Sequence, residues 1–265
     1  MTALAESVGT LWRFRELLAL LVTRDLKVRY KRSVLGMFWT LLNPLLQMLV
    51  YTLVFRTIMR VQIPAFPVFL LSGLLPWTLV AVSATASAHS LLANQGLIRK
   101  VAVPQAVWPL AVVGSKLVDL LFSLLPLALL AGALGRMPGA SWLALVPGLA
   151  CAIAFTAGLS LLFSSLTVFF RDVRHLIDIL FQVWFYLTPV LYPQSYLDNV
   201  GSPLLRRVLS LNPAAPIVRV FQEAIYEQRF PSGALLAQAA LFGFGTLAIG
   251  WSVFRRGQDR HIHHF

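Results

Sequence analysis

Long runs without a charged residue alternate along the chain with short polar clusters. No Asp, Glu, Lys or Arg occurs in the twenty-three residues between Arg32 and Arg56, and comparable apolar stretches recur until Arg255. The hydrocarbon core of a bilayer, about 30 Å thick, takes roughly 20 helical residues to cross, and a helix satisfies its own backbone there. Five stretches meet that length: Ser33 to Met59, Phe66 to Ala88, Ala106 to Leu134, Trp142 to Phe169 and Ser232 to Phe254. A sixth, His175 to Tyr192, is barely long enough and carries Asp178 near its start, but its run Ile179 to Leu191 is apolar and rich in aromatic residues. The pattern predicts an all-α integral membrane protein with six transmembrane helices. Pro76, Pro109, Pro126 and Pro147 fall inside these spans and predict kinks there, not breaks.

Composition agrees, with 58% hydrophobic and 12% charged residues. Charge then sets orientation. With both termini cytoplasmic, the inner side carries fourteen Lys and Arg and the outer side seven, Lys116 lying within a span. Basic residues accumulate on the cytoplasmic side, so both ends are expected inside. The net charge of +12 is thereby accounted for without a nucleic acid, anionic lipid headgroups being the ordinary partner. No removable signal sequence is evident in the first twenty-odd residues, and the first span is expected to direct its own insertion. The single cysteine, Cys151, excludes an intrachain disulfide and reads as packing inside the fourth span.

Before the first span, Leu11, Phe14, Leu18 and Val22 recur at helical spacing, with Arg13, Arg15, Glu16 and Thr23 elsewhere around the turn. This predicts an amphipathic helix lying at the headgroup level. Arg24, Lys27, Arg29, Lys31 and Arg32 follow, five basic residues in nine positions. They fit a general positive-inside anchor. The alternative is a site that receives a lipid-linked phosphate or pyrophosphate, since guanidinium forks match phosphate oxygens.

Arg24 to Pro44, RDLKVRYKRSVLGMFWTLLNP, resembles the start of the first span in permease subunits of ABC-type polysaccharide exporters, the family that moves O-antigen, capsule and teichoic acid chains. The segment LLANQGLIRKVAVP ending at Pro104, FFRDVRHLIDIL from Phe169 to Leu180, YLTPVLYP from Tyr186 to Pro193, and Leu211-Asn212-Pro213 look like the same family, in the same order. Val103 departs from the pattern, which often places an aromatic residue before the proline.

The resemblance implies a homodimer in the cell inner membrane with two copies of a separate ATP-binding subunit, ATP and Mg being held there and no cofactor in this chain. The absence of a GxxxxGK[ST] phosphate loop agrees. It further implies a coupling helix docked on the ATPase, carried by Asn94, Gln95, Leu97, Ile98, Arg99, Lys100 and Val101, with Asn94 a candidate cap and Pro104 the stop. Read without the resemblance, Arg99 and Lys100 fit a loop that only sets topology. Arg171, Asp172 and Arg174 form a second, lesser contact. Two short helices, Leu204 to Leu211 and Ala214 to Tyr226, correspond to re-entrant elements at the outer mouth; an amphipathic cap without re-entry is the alternative. The expected organisation is 1–32 as cytoplasmic helix and basic segment, 33–254 as the transmembrane domain with 194–230 as the outer cap, and 255–265 as a cytoplasmic tail.

Lys116 and Asp119 stand one helical turn apart and are expected to neutralise each other within the third span. Tyr51, Trp184, Phe185, Tyr186 and Tyr192 are candidates for a pore that a glycan slides through, aromatic faces stacking weakly on sugar rings; taken singly, each fits an interfacial belt better. His261, His263 and His264 predict a disordered tail, not a metal site. The function expected is the membrane half of an ATP-driven exporter of a lipid-linked polysaccharide. An exporter of small hydrophobic molecules and a membrane-embedded lipid-modifying enzyme are the alternatives, the latter disfavoured by only ten scattered acidic residues.

Overall fold

A computed structural model describes residues 13–31, 36, 38–58, 60, 62–100, 103–170, 172–194, 196, 207 and 209–264. Every regular element among them is helical. In chain order these are α1 (Arg15–Tyr30), α2 (Phe38–Thr52) continued by a π-helical turn (Leu53–Ile58), α3 (Phe66–Ala88), α4 (Ser90–Ala93), α5 (Gln95–Ile98) and α6 (Val107–Ala133). After a 3-10 turn (Ala140–Ala144) come α7 (Leu145–Phe169), α8 (Val173–Leu187), α9 (Ala215–Phe221) with a π-helical end (Gln222–Tyr226), and α10 (Gly233–His264).

Five helical segments are long and apolar enough to cross a bilayer: Phe38–Arg56, Phe66–Ala88, Val107–Ala133, Ala140–Phe169 and Gly233–Gln258. The sixth expected span is shorter than the sequence reading. With 15 residues, α8 rises about 22 Å, less than the hydrocarbon thickness. Pro189 explains the stop, because a residue before proline is pushed out of the α region, and Thr188 is extended at φ −96°, ψ 136°.

Two apolar clusters define the ends of the bundle. At the near end, Leu21 of α1, Leu91, Ile98, Trp108, Leu161, Val168 and Phe254 pack together. At the far end, Phe66, Phe69 and Leu191 join Ile63, Tyr192 and Tyr226. Helices α3, α6, α7, α8 and α10 therefore run alternately between the two ends, and α1 meets the C-terminal part of α10 at the near one. A hydrogen bond from Gln105 Nε2 to the Gln258 carbonyl, 3.3 Å, fastens the same end. The continuous core joins α3, α6, α7, α9 and α10, with Ile177 and Phe181 of α8.

Small residues let the tightest pair form. A Cβ on Gly158 of α7 would collide with the backbone of Thr246 and Leu247, and one on Gly250 of α10 with the Gly158 carbonyl. At Gly243 the obstacle is the Cys151 carbonyl, 2.7 Å away. Lipid provides no hydrophobic drive between helices, so such backbone proximity is what holds α7 to α10.

Several expectations change here. Pro109 and Pro147 are the third residues of α6 and α7, in the first turn where no intrahelical donor is lost, so neither is placed to kink a helix. The interior prolines are Pro44, Pro76 and Pro126. The basic segment is helical through Tyr30, and α1 also packs on protein: Val22 lies where a Cβ on Gly114 would come within 2.8 Å. The C-terminal tail is no disordered end, because α10 continues to His264. Leu11, Arg32, Val101, Arg171 and half of the first short helix, Leu204 to Leu211, lie outside the described residues.

Candidate functional site

Helices α2 and α8 are sparsely buried. No residue of α2 is buried, and only Ile177 and Phe181 of α8 are. Between them and α3 runs an open groove of about 620 Å³, walled by Gln47 and Tyr51 of α2, Thr78 and Thr85 of α3, and Asp178, Gln182, Phe185 and Tyr186 of α8. Aromatic faces and side-chain amides thus share one surface. Tyr51 stacks on Phe185 at 6.0 Å, and Phe185 meets Tyr186 edge-on at 5.3 Å, leaving Tyr186 65% exposed. Tyr192 donates its hydroxyl to the Tyr186 carbonyl at 3.0 Å, at the far end of the groove. Trp184 sits elsewhere: its ring lies among Trp77, Phe155 and Phe181, and its Nε1 donates to Asn212 Oδ1 at 2.8 Å.

Toward the near end, charge gathers where α1 meets α6. Arg29 donates to Asp119 at 2.5 Å and Lys116 to the same oxygen at 3.2 Å, so two cations share one carboxylate. The intrahelical pair expected from spacing is a three-centre cluster. It lines a cavity of about 370 Å³ with Trp39, Thr40 and Asn43 of α2. Asp119 lies twelve residues into α6, roughly 18 Å by helical rise. Of the other basic residues, Arg24 pairs with Asp25 at 3.1 Å and stands 5.9 Å from the Trp108 ring centroid, while Lys27 and Lys31 are exposed.

The connection between α3 and α6 forms a small knob at the near end. Ile98 is buried against Leu21 and Trp108, whereas Gln95, Gly96, Leu97, Arg99 and Lys100 face outward. Asn94 precedes α5 but does not cap it; its Nδ2 instead donates backward to the Ser90 carbonyl at 2.7 Å. Asp172 and Arg174, both exposed, begin α8. They adjoin the same region, since His89 at the end of α3 feels Arg174, Asp178 and His175. Burial foremost, and then Arg174, holds the His89 imidazole below its ordinary value.

At the far end, α9 is inserted into protein. Its residues Ala215, Pro216, Ile217, Val218, Val220 and Phe221 are buried, with Gly73 and Gly148 making room: a Cβ on either would come within 2.8 Å of Gln222 or Val220. Asn212 ties this element to the broken end of α8, donating to the Leu187 carbonyl and to Thr188 Oγ1 at 3.0 and 2.9 Å while accepting from the Ala214 amide. Gln222 donates to the Pro189 carbonyl at 2.9 Å. The α6–α7 connection grips from the other side, Arg136 lying 4.2 Å over the Tyr226 ring and donating to its carbonyl. Among the described residues no three His, Cys, Asp or Glu side chains gather as metal ligands.

Spacing did not reveal the Arg29–Asp119 contact or the Asn212 network, since both join residues far apart in sequence; the basic run before the first span and the Asn-Pro pair were the only signals available.

Repeated apolar helices with an aromatic and amide-lined groove along them define a multi-pass membrane protein of the transporter class. The chain belongs to the ABC-2 type transporter family, whose profile matches residues 16–226. It is similar to the O-antigen export system permease protein RfbA of Myxococcus xanthus, 38% identical over 95% of this chain and 96% of the relative. A protein of the same name from Klebsiella pneumoniae is 34% identical over 91% and 92% of the two chains. The polysialic acid transport protein KpsM of Escherichia coli is 26% identical over 90% and 92%. Membership in a transporter family sets aside the lipid-modifying enzyme.

Proposed function

We propose that the chain is the membrane-spanning subunit of an ATP-driven exporter that moves a lipid-linked polysaccharide, of the O-antigen kind, across the inner membrane. The observation that carries this reading is the groove between α2 and α8: stacked aromatic rings beside Gln47, Gln182 and Asp178 match the apolar faces and hydroxyls of a sugar chain. An exposed groove on one copy becomes an enclosed conduit when a second copy covers it, and the exposed apolar residues Leu46, Leu49, Leu180 and Val183 flanking it suit such a partner. The similarity to O-antigen export permeases supports the substrate class.

In this reading the near end faces the cytoplasm. Two copies of an ATP-binding subunit dock on the knob at Gln95 to Lys100, with Asp172 and Arg174 as a lesser contact, and their closure on ATP moves α3 and α6 through Ile98. Lys27, Lys31 and the Arg29–Asp119–Lys116 cluster attract the lipid phosphate. The buried α9 dips in from the outer side and returns as the cap of the pore.

The test is a chromosomal deletion complemented by the intact gene. Surface polysaccharide is expected to vanish on deletion, with lipid-linked polymer accumulating inside, and to return on complementation. Unchanged surface polysaccharide, with lost resistance to hydrophobic drugs, would assign the chain to small-molecule export instead.

A further inference from the structure

A second cavity, of about 270 Å³, opens at the far end, where the groove stops. Gln62 and Pro64 after α2, Phe69 of α3, Gln194 after α8, and Glu223 and Tyr226 of the cap wall it. The Glu223 side chain is only 4% exposed. Its Oε1 accepts from Arg219 at 3.0 Å and from Arg229 at 2.9 Å. Its Oε2, buried, meets no donor among the described residues, and Gln194 Oε1 in the same wall is equally without one.

Each such orphan costs about 1–3 kcal/mol, so two in one cavity wall point to donors brought by a ligand. Arg219 and Arg229 balance Glu223 together with Glu227, which Arg229 meets at 2.6 Å, and this favours neutral hydroxyl donors over a metal cation. Tyr226 meets Phe69 edge-on at 5.2 Å, adding an aromatic wall. Paired acceptors beside an aromatic surface are the complement of a pyranose, with hydroxyls around its rim and C–H groups on its face. The cavity's size suits one ring and not a folded chain.

We propose that this cavity binds a single sugar residue of the glycan as it leaves the groove, Gln194 and Glu223 accepting its hydroxyls and Tyr226 and Phe69 forming the apolar wall. The assignment rests on the export reading for the source of the sugar. Such a site holds one unit weakly while the rest of the polymer advances.

The full-length chain in lipid nanodiscs, probed by saturation-transfer NMR with methyl glycosides of glucose, galactose, mannose, rhamnose and N-acetylglucosamine, tests it. At least one glycoside is expected to bind, and to bind at least fivefold more weakly to Gln194→Ala, a substitution that removes no hydrogen bond of the Gln194 acceptor from the fold. Glu223→Gln, checked for an unchanged melting temperature, is expected to weaken it as well. No binding to the unaltered chain, or equal binding to both variants, would overturn the proposal. So would terbium luminescence quenched by calcium and sensitive to Gln194→Ala in the absence of glycoside binding, which would make the cavity a cation site. The deletion strain separates this from the export reading: polymer lost from the surface without glycoside binding removes the cavity proposal alone. Glycoside binding in a chain whose deletion leaves surface polymer intact removes the passing glycan as its ligand.

Discussion

Asp119 shows how one side chain can decide whether charge is tolerable inside a membrane bundle. It compensates Arg29 and Lys116 together, so Asp119→Ala leaves two cations without their shared carboxylate and is expected to cost about 2 kcal/mol. Melting of the detergent-purified protein would register this, and Lys116→Met combined with Asp119→Leu should recover part of the loss. His89 gives a pH dependence. Its folded-state value lies below the ordinary one, so the unfolded chain takes up the proton first. Stability is then fully present above about pH 6.5 and is lost as pH falls toward the folded-state value. A comparison of melting at pH 7.5 and 5.5 should show a smaller drop for His89→Gln than for the unaltered chain. At this scale the sequence was only partly legible. The three-residue spacing of Lys116 and Asp119 announced their contact, but Arg29, ninety residues away, could be joined to them only by the packing of α1 on α6. Nor does an aromatic residue declare its face: Trp184 turns inward to Asn212 while Tyr186, two residues on, stays exposed.

Helices as units were far more legible, because a charge-free run of span length has few alternatives in a chain this apolar. The exception was α8, which Pro189 stops short of span length. Glycine pairing between α7 and α10 left no readable signal, since a lone glycine in a span fits many contexts. Gly158→Ala is expected to lower stability by about 1–3 kcal/mol by pushing the two backbones apart, whereas Gly245→Ala, with no atom within 4 Å of its Cβ, should be neutral. Thermal aggregation of the two variants in detergent checks the difference. The α4–α5 knob carries the other expectation for elements. Reversing charge with Arg99→Glu and Lys100→Glu should leave the fold intact, both side chains being exposed, and uncouple ATP hydrolysis from transport in the assembled complex. Unchanged transport per ATP would remove the knob as the coupling element.

Across the whole molecule, a single copy buries its core among α3, α6, α7, α9 and α10, joined by one face of α8, and leaves an open groove between α2 and α8. A bundle built this way reads as one half of a conduit. The central claim is that two such halves, driven by ATP-binding subunits at the near end, pass a glycan from one side to the other. Reconstitution into sealed vesicles with the cognate ATP-binding subunit, loaded with lipid-linked polysaccharide on the outer leaflet beside the ATPase, tests it most directly. ATP should move the polymer to the lumen, protected from an added glycosidase, and Tyr51→Ala with Tyr186→Ala should slow that protection at least tenfold. Polymer that stays glycosidase-sensitive while ATP is hydrolysed, or a double variant as fast as the unaltered chain, would contradict the account.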